Sequence, residues 1–413
     1  MRPLLRGAAR DDIHEALRRL SRALLALPPR SLRDPSLANG HAGLALVHAA
    51  LHPLFPRSGH DDRSNDALDR AIRALARHPM PPHLYSGFTG VAWVEEHLRG
   101  HSNDDANEAI DDALLTYLSV PRHESFDLIR GLSGIAVYAL ERLPRRAARR
   151  ILERIVERLA ESARRRAPGL AWWTDPKWIH PSVRRKPHFA WNLGVGHGMP
   201  GVIAALAGAL RAGIEPRTTR RLLDGAVRWL LAQEMRERTD AGFAMATGPG
   251  VPRTPGRSAW CYGDPGIAAT LLAAATAASE PTWRAEAIRI ALRAADRPPE
   301  ECRVVDAGLC HGAAGLGHVY HRMYLTTGEP RLARAARAWL VRALAFRKPG
   351  RGIEQFPSWN IAADGRTSWD VDPSWLTGAA GVAIAFATAL SPGDPSWDRA
   401  MLLSLREPPP APR

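Results

Sequence analysis

Three things are scarce in this sequence of 413 residues, and each scarcity closes off a class of protein. Long apolar runs are absent: no stretch of about 18 uncharged apolar residues occurs, so no membrane-spanning helix is expected. The opening, MRPLLRGAARDDIHEALRRL, carries Asp11, Asp12 and Glu15 where a signal peptide would keep its apolar core, which points to a cytoplasmic protein. Cysteine is confined to Cys261, Cys302 and Cys310, too few and odd in number for a disulfide framework. In a reducing compartment these thiols stay available as thiolates or metal ligands. Lysine is confined to Lys177, Lys186 and Lys348, so nearly all of the 56 basic residues are arginine. They are spread along predicted helices and mixed with Asp and Glu, as in RRAARRILERIVERLAESARRR, residues 145–166. The formal charge of +14 therefore reads as solvated helix faces, and no nucleic-acid partner is expected. A basic surface that attracts an acidic peptide is the second reading. Hydrophobic residues make up 45% and charged residues 24%, the composition of a folded globular chain.

What is abundant is a repeat. A glycine pair, G-x-x-G, occurs seven times: Gly40 with Gly43, Gly87 with Gly90, Gly131 with Gly134, Gly198 with Gly201, Gly263 with Gly266, Gly312 with Gly315, and Gly378 with Gly381. Each pair opens about ten residues dense in Ala, Val, Leu and Ile, so each glycine pair sits at the mouth of a helix that is apolar nearly all round. Such a helix must be buried on every side. Glycine there serves either unusual backbone angles or close backbone approach. Between the copies lie amphipathic segments, such as SNDALDRAIRALARH and PRLARAARAWLVRALAFR, whose apolar residues recur at three and four.

Seven buried helices alternating with seven half-exposed ones predict an all-α protein, an α/α toroid or double helical barrel of seven helix-pair repeats. The closed ring is preferred over an open solenoid because no polar capping repeat is evident at either end. The first glycines are spaced 47, 44, 67, 65, 49 and 66 residues apart, so some intervals carry extra structure. The third contains a Trp- and Pro-rich stretch without helical period, read as a small irregular or β-like insertion near 168–191, a packed loop or a lid whose tryptophans line a groove. One domain over residues 1–405 and a disordered tail over 406–413 complete the expectation.

Because all the G-x-x-G turns lie at one end of the repeats, side chains just before them converge. Those side chains are Asp127, His197, Cys261, Tyr262, Cys310 and His311. Two thiolates and one imidazole make a Cys₂His zinc set with a fourth position open to water or substrate. Soft sulfur with nitrogen favours Zn2+ over magnesium or calcium. The alternative is a pair of inert buried cysteines and a satisfied core histidine. Cys302, away from any glycine pair, is expected to be a small buried residue. A zinc site of this charge keeps a bound substrate sulfur deprotonated and nucleophilic, which points to thiol addition or alkylation.

With NLGVGHGMPG, WCYGDPG and CHGAAG as its most specific motifs, the chain resembles the LanC-like family of lanthipeptide cyclases over essentially its full length. The resemblance implies an α/α toroid that adds cysteine thiols of a dehydrated precursor peptide to dehydroalanine or dehydrobutyrine, closing (methyl)lanthionine thioether rings. It implies Cys261, Cys310 and His311 as zinc ligands, His197 as acid/base, Asp127 as its charged partner, and Arg257 with Tyr262 as flanking catalytic residues. A leader-bearing peptide, a separate dehydratase and a transporter complex are the partners it suggests. The segment before the first repeat is too short for a dehydratase, kinase or lyase domain, so the free-standing cyclase type is expected. Three rivals stand beside it. A protein prenyltransferase β-subunit-like toroid is disfavoured by seven repeats and a ligand set without carboxylate. A glutathione-adding relative acting on dehydroamino acids and a non-catalytic peptide-binding scaffold are the other two.

Overall fold

A computed structural model describes residues 4–28, 32, 34–100, 105–120, 125–175, 190–238, 241–361, 365–393 and 395–404. Every G-x-x-G opens a helix, and its first glycine is the residue that caps it. Numbered in chain order, these helices are α2 (His41–Leu51), α4 (Phe88–Arg99), α6 (Leu132–Arg142), α8 (Met199–Arg211), α10 (Asp264–Ala278), α12 (Ala313–Thr327) and α14 (Ala379–Leu390). Their residues are buried almost without interruption, as their composition requires. The amphipathic segments form α1 (Gly7–Ala26), α3 (His60–Leu75), α5 (Glu108–Ser119), α7 (Arg146–Ser162), α9 (Pro216–Leu231), α11 (Pro281–Ala295) and α13 (Pro330–Ala345).

The chain forms two compact units. In the first (Met1–Met80, Arg257–Trp260, Ala291–Trp397), α14 packs against both α12 and α2, so the last glycine-led helix lies on the first. Helix α1 covers α14 from outside, while α3 covers α2 and α13 covers α12. The first helix of the chain thus pairs with the last glycine-led helix. In the second unit (Pro81–Gly256, Cys261–Ile290, Asp398–Arg413), α4, α6, α8 and α10 pack in series, with α7 on α6 and α9 on α8.

Six of the seven capping glycines have ordinary extended angles, for example φ −130° at Gly40 and −132° at Gly131. Close approach is therefore their reason. A Cβ on Gly131 would stand 2.0 Å from the Ser125 carbonyl oxygen, and one on Gly315 only 1.7 Å from that of Leu309. Gly263 is the exception, with φ +94°, a conformation that side chains disfavour.

The turns are stitched together by backbone. In the first unit the Leu376 N–H donates to the Ala38 carbonyl (3.1 Å) and the Cys310 N–H to the Leu376 carbonyl (2.9 Å). In the second, Ile129 donates to Gly196 (3.2 Å) and Gly196 to Cys261 (3.4 Å). All of these residues stand two places before the first glycine of their copies, so equivalent side chains are held side by side.

The insertion is β-like where it is described. Strand β1 (Arg164–Arg166) pairs antiparallel with β2 (Gly169–Ala171), and β3 (Trp191–Asn192) with β4 (Ala246–Thr247). Trp172 is fully buried and its indole donates to the Leu159 carbonyl (2.9 Å), while Trp191 is buried beneath the Arg166 guanidinium. These two tryptophans belong to the packed loop and not to a groove. Residues 176–189, with Trp178, and the tail 406–413 lie outside the described residues. A second hairpin, β5 (Ser358–Ile361) with β6 (Thr367–Asp370), fills the last long interval and had no counterpart in the sequence reading.

The interface of α1, α2 and α3 buries a histidine pair. His48 Nδ1 meets His60 Nδ1 at 2.7 Å, and His60 Nε2 meets the Ser21 hydroxyl at 2.8 Å. Burial pushes His48 down to about 3 and His60 to about 4, from an ordinary 6.5, with Arg63 adding to the effect at His48 and His52 to that at His60. Both rings are neutral in the fold and both protonate in the unfolded chain below about pH 6.5, so the stability they permit is complete above that value and lost as pH falls toward 4.

Two outcomes are expected. Urea denaturation at pH 7 and pH 5 should show a loss of about 2 kcal/mol per imidazole, and His48→Gln should flatten that pH dependence. Gly315→Ala should lower the thermal midpoint well beyond the change produced by Gly393→Ala, where a Cβ meets nothing within 4 Å.

Candidate metal centre

Cys261 and Cys310 occupy the same place in consecutive copies, two residues before the glycine that caps α10 and α12, and His311 follows directly. Short pre-helical turns hold them at the mouths of α10 and α12. One candidate ligand atom from each of Cys261, Cys310 and His311 lies within 4.8 Å of the others, and this is the single such group of His, Cys, Asp or Glu among the described residues. All three are half-buried, so the centre is reachable from solvent.

The donor set fits zinc. Bonds of about 2.3 Å to sulfur and 2.0–2.1 Å to nitrogen place tetrahedral ligand atoms about 3.5–3.8 Å apart, within a side-chain torsion of the spacing here. No carboxylate belongs to the group, which disfavours magnesium and calcium. Cys302 is not part of it. It is 1% exposed, its thiol donates to the Arg297 carbonyl (3.8 Å), and burial pushes its pKa up.

The turn that bears His197 adjoins Cys261. The Gly196 N–H donates to the Cys261 carbonyl, and a Cβ on Gly194 would overlap the Tyr262 ring at 2.6 Å. His197 Nδ1 lies 2.8 Å from Asp127 Oδ2. The Asp127 side chain is only 3% exposed, and its Oδ1 accepts the Arg130 N–H (2.6 Å), so the carboxylate is fixed before it meets the ring. Tyr262 is oriented by Asn192, whose side-chain amide donates to the phenol oxygen at 2.8 Å. Arg257, in the other unit, lies with its guanidinium 5.9 Å from the centre of the Trp359 ring.

Asn192, Trp359 and Asp306 are neighbours of the site that sequence reasoning missed. Asn192 and Asp306 had a signal: six residues before the capping glycine, Asp34, Asn192, Asp306 and Asp372 each accept the N–H two residues on, at 2.7–3.2 Å. Arg257 stands at this same position in the fifth copy. Trp359 comes from the hairpin, which carries no repeat pattern.

Comparison with solved structures finds nisin cyclase, at TM-score 0.74 and 18% identity, covering 95% of this chain and 97% of that one. The likeness shows a shared fold, the α/α toroid of helix pairs expected from the glycine repeat. A sugar epimerase from a ruminal bacterium (TM-score 0.45, 10% identity, 86% of this chain and 87% of that one) and a cellobiose 2-epimerase from Bacillus thermoamylovorans B4167 (0.43, 10%, 86% and 89%) are more distant. No curated protein sequence matches significantly. The family described as Lanthionine synthetase C-like protein matches residues 31–402, nearly the whole repeat array. On that match the chain belongs to the lanthionine synthetase C-like family.

Proposed function

We propose that this protein is a zinc-dependent lanthipeptide cyclase, adding peptide cysteine thiols to dehydroalanine or dehydrobutyrine to form thioether rings. The observation that carries the reading is the convergence of Cys261, Cys310 and His311 in a chain of this family. These three residues would hold the metal. When bound, zinc supplies Lewis acidity that keeps a substrate thiol ionised near neutral pH.

The remaining chemistry belongs to the chain's own side chains. His197 accepts the thiol proton at Nε2, because Nδ1 is engaged with Asp127. The Asp127 carboxylate stabilises the resulting imidazolium and fixes its orientation. As sulfur bonds to the alkene β-carbon, the π electrons pass to the α-carbon and its carbonyl, and Arg257 stabilises that enolate by a preorganised charge. Tyr262, held by Asn192, serves as a second donor to the enolate. His197 then returns its proton to the α-carbon, so one S–H and one C=C become one C–S and one C–H bond. Reduced peptide thiols are needed throughout, which fits action in the cytoplasm on a leader-bearing peptide from a separate dehydratase, with a transporter as a further partner.

Protein purified without added metal is expected to carry about one zinc per chain, and Cys310→Ala far less. A folded parent that refuses added zinc would overturn the metal reading. For the proton relay, His197→Ala should retain zinc yet lose about 100-fold to 10,000-fold in ring closure, read by mass spectrometry after alkylating the remaining thiols. Unchanged ring formation would remove His197 from the reaction.

A further inference from the structure

Resting on the metal reading above, we propose that Asp306 is the positioning residue for His311: its buried carboxylate takes the imidazole Nε2–H and leaves Nδ1 to face the metal. The structure supplies the parts. Asp306 is 1% exposed, and its Oδ2 lies 3.8 Å from His311 Nε2. That separation is longer than a hydrogen bond and within reach of one by a small torsion of the ring.

Two backbone groups clamp the carboxylate. The Gly308 N–H donates to Oδ1 at 3.2 Å and the Trp359 N–H, from strand β5, to Oδ2 at 3.1 Å. The first bond is the turn common to the repeats, and the turn by itself needs no charge: Asn192 makes it with an amide, and Ser125 makes its equivalent with a hydroxyl, to the Asp127 N–H at 3.3 Å. A carboxylate kept at this depth requires further donors to offset its desolvation. Trp359 is one, and the imidazole edge of His311 is the next.

The consequence is chemical. A metal-ligating imidazole whose distal N–H is held by a carboxylate has one tautomer, one orientation and a more basic ligand nitrogen. The hairpin joins the centre by the same contact, since Trp359 bonds Asp306 through its backbone while its ring lies near Arg257. One residue therefore orders both the support of a metal ligand and the cation assigned to the enolate.

The test compares Asp306→Asn with Asp34→Asn in the full chain. Asp34 makes the same turn in the first copy, to the Ser36 N–H at 2.7 Å, with Asn39 standing where His311 stands in the sixth. Zinc affinity is measured by competition with a chromophoric chelator, and the cobalt(II)-loaded proteins are compared by visible absorption. Asp306→Asn should bind zinc about 10-fold to 100-fold more weakly with shifted cobalt bands, while Asp34→Asn matches the parent in both. If Asp306→Asn fails to fold, Asp306→Ser, which keeps a turn-making hydroxyl as in the third copy, carries the same expectation. Unchanged affinity and cobalt spectrum in the folded variant, or an equal loss in both variants, overturns the assignment of Asp306 alone. A parent that takes up no zinc overturns the metal reading and this inference together.

Discussion

Everything in this protein depends on how closely the backbone of each turn approaches the glycines that follow it. In five copies a Cβ on the first glycine would lie 1.9–2.3 Å from the carbonyl oxygen six residues upstream, as at Gly87 and Gly378. The second glycine repeats the relation, as at Gly43 with Leu37 and Gly381 with Trp375. The pre-helical loop is thereby folded flat against the mouth of the helix it leads into. That position puts its N–H and C=O groups where the next copy's turn can meet them, and the bonds from Leu376 to Ala38 and from Gly196 to Cys261 follow. A methyl group at any of these mouths would separate the turn from its helix.

This constraint also explains where chemistry accumulates. A residue two places before the capping glycine has its backbone used up in the stitching, so its side chain has a fixed origin. Ala38, Ile129, Gly196 and Leu376 spend that position on packing or on space, whereas Cys261 and Cys310 spend it on sulfur. The place directly before the glycine is similar, bearing Asn39 in the first copy and His197 or His311 in later ones. The candidate site thus arises from varying side chains at turns whose backbone course recurs from copy to copy. The cost falls on the buried polar groups nearby, and Asp127 and Asp306 meet it by accepting backbone N–H groups before they meet an imidazole.

Much of the site was legible in advance because it lies on a repeat. The seven glycine pairs, the apolar runs behind them and the Cys261, Cys310 and His311 set all stand at fixed offsets, and the helices appear where those offsets place them. The partnership of His197 with Asp127 is different in kind. The two are 70 residues apart, and only the resemblance to a family suggested it before the 2.8 Å contact did. Asn192 and Asp306 were missed although their turn-making position recurs, because that position is Asx in only four of the seven copies and is Pro81, Ser125 and Arg257 in the others. Trp359 left no trace, since a short hairpin inserted between helices has neither a helical period nor a copy elsewhere.

Sequence alone determined the helical class, the number of copies and the residue types gathered at the turns, because each of these is a local pattern of apolar spacing, glycine and soft ligands. Tertiary structure decided that the capping glycines other than Gly263 serve close approach rather than unusual angles, that α1 covers α14, and that Trp172 and Trp191 pack inside a loop. It also decided which carboxylate faces which imidazole. Those outcomes depend on distances between segments remote in the chain, and a local pattern carries no information about them until the backbone has brought the segments together.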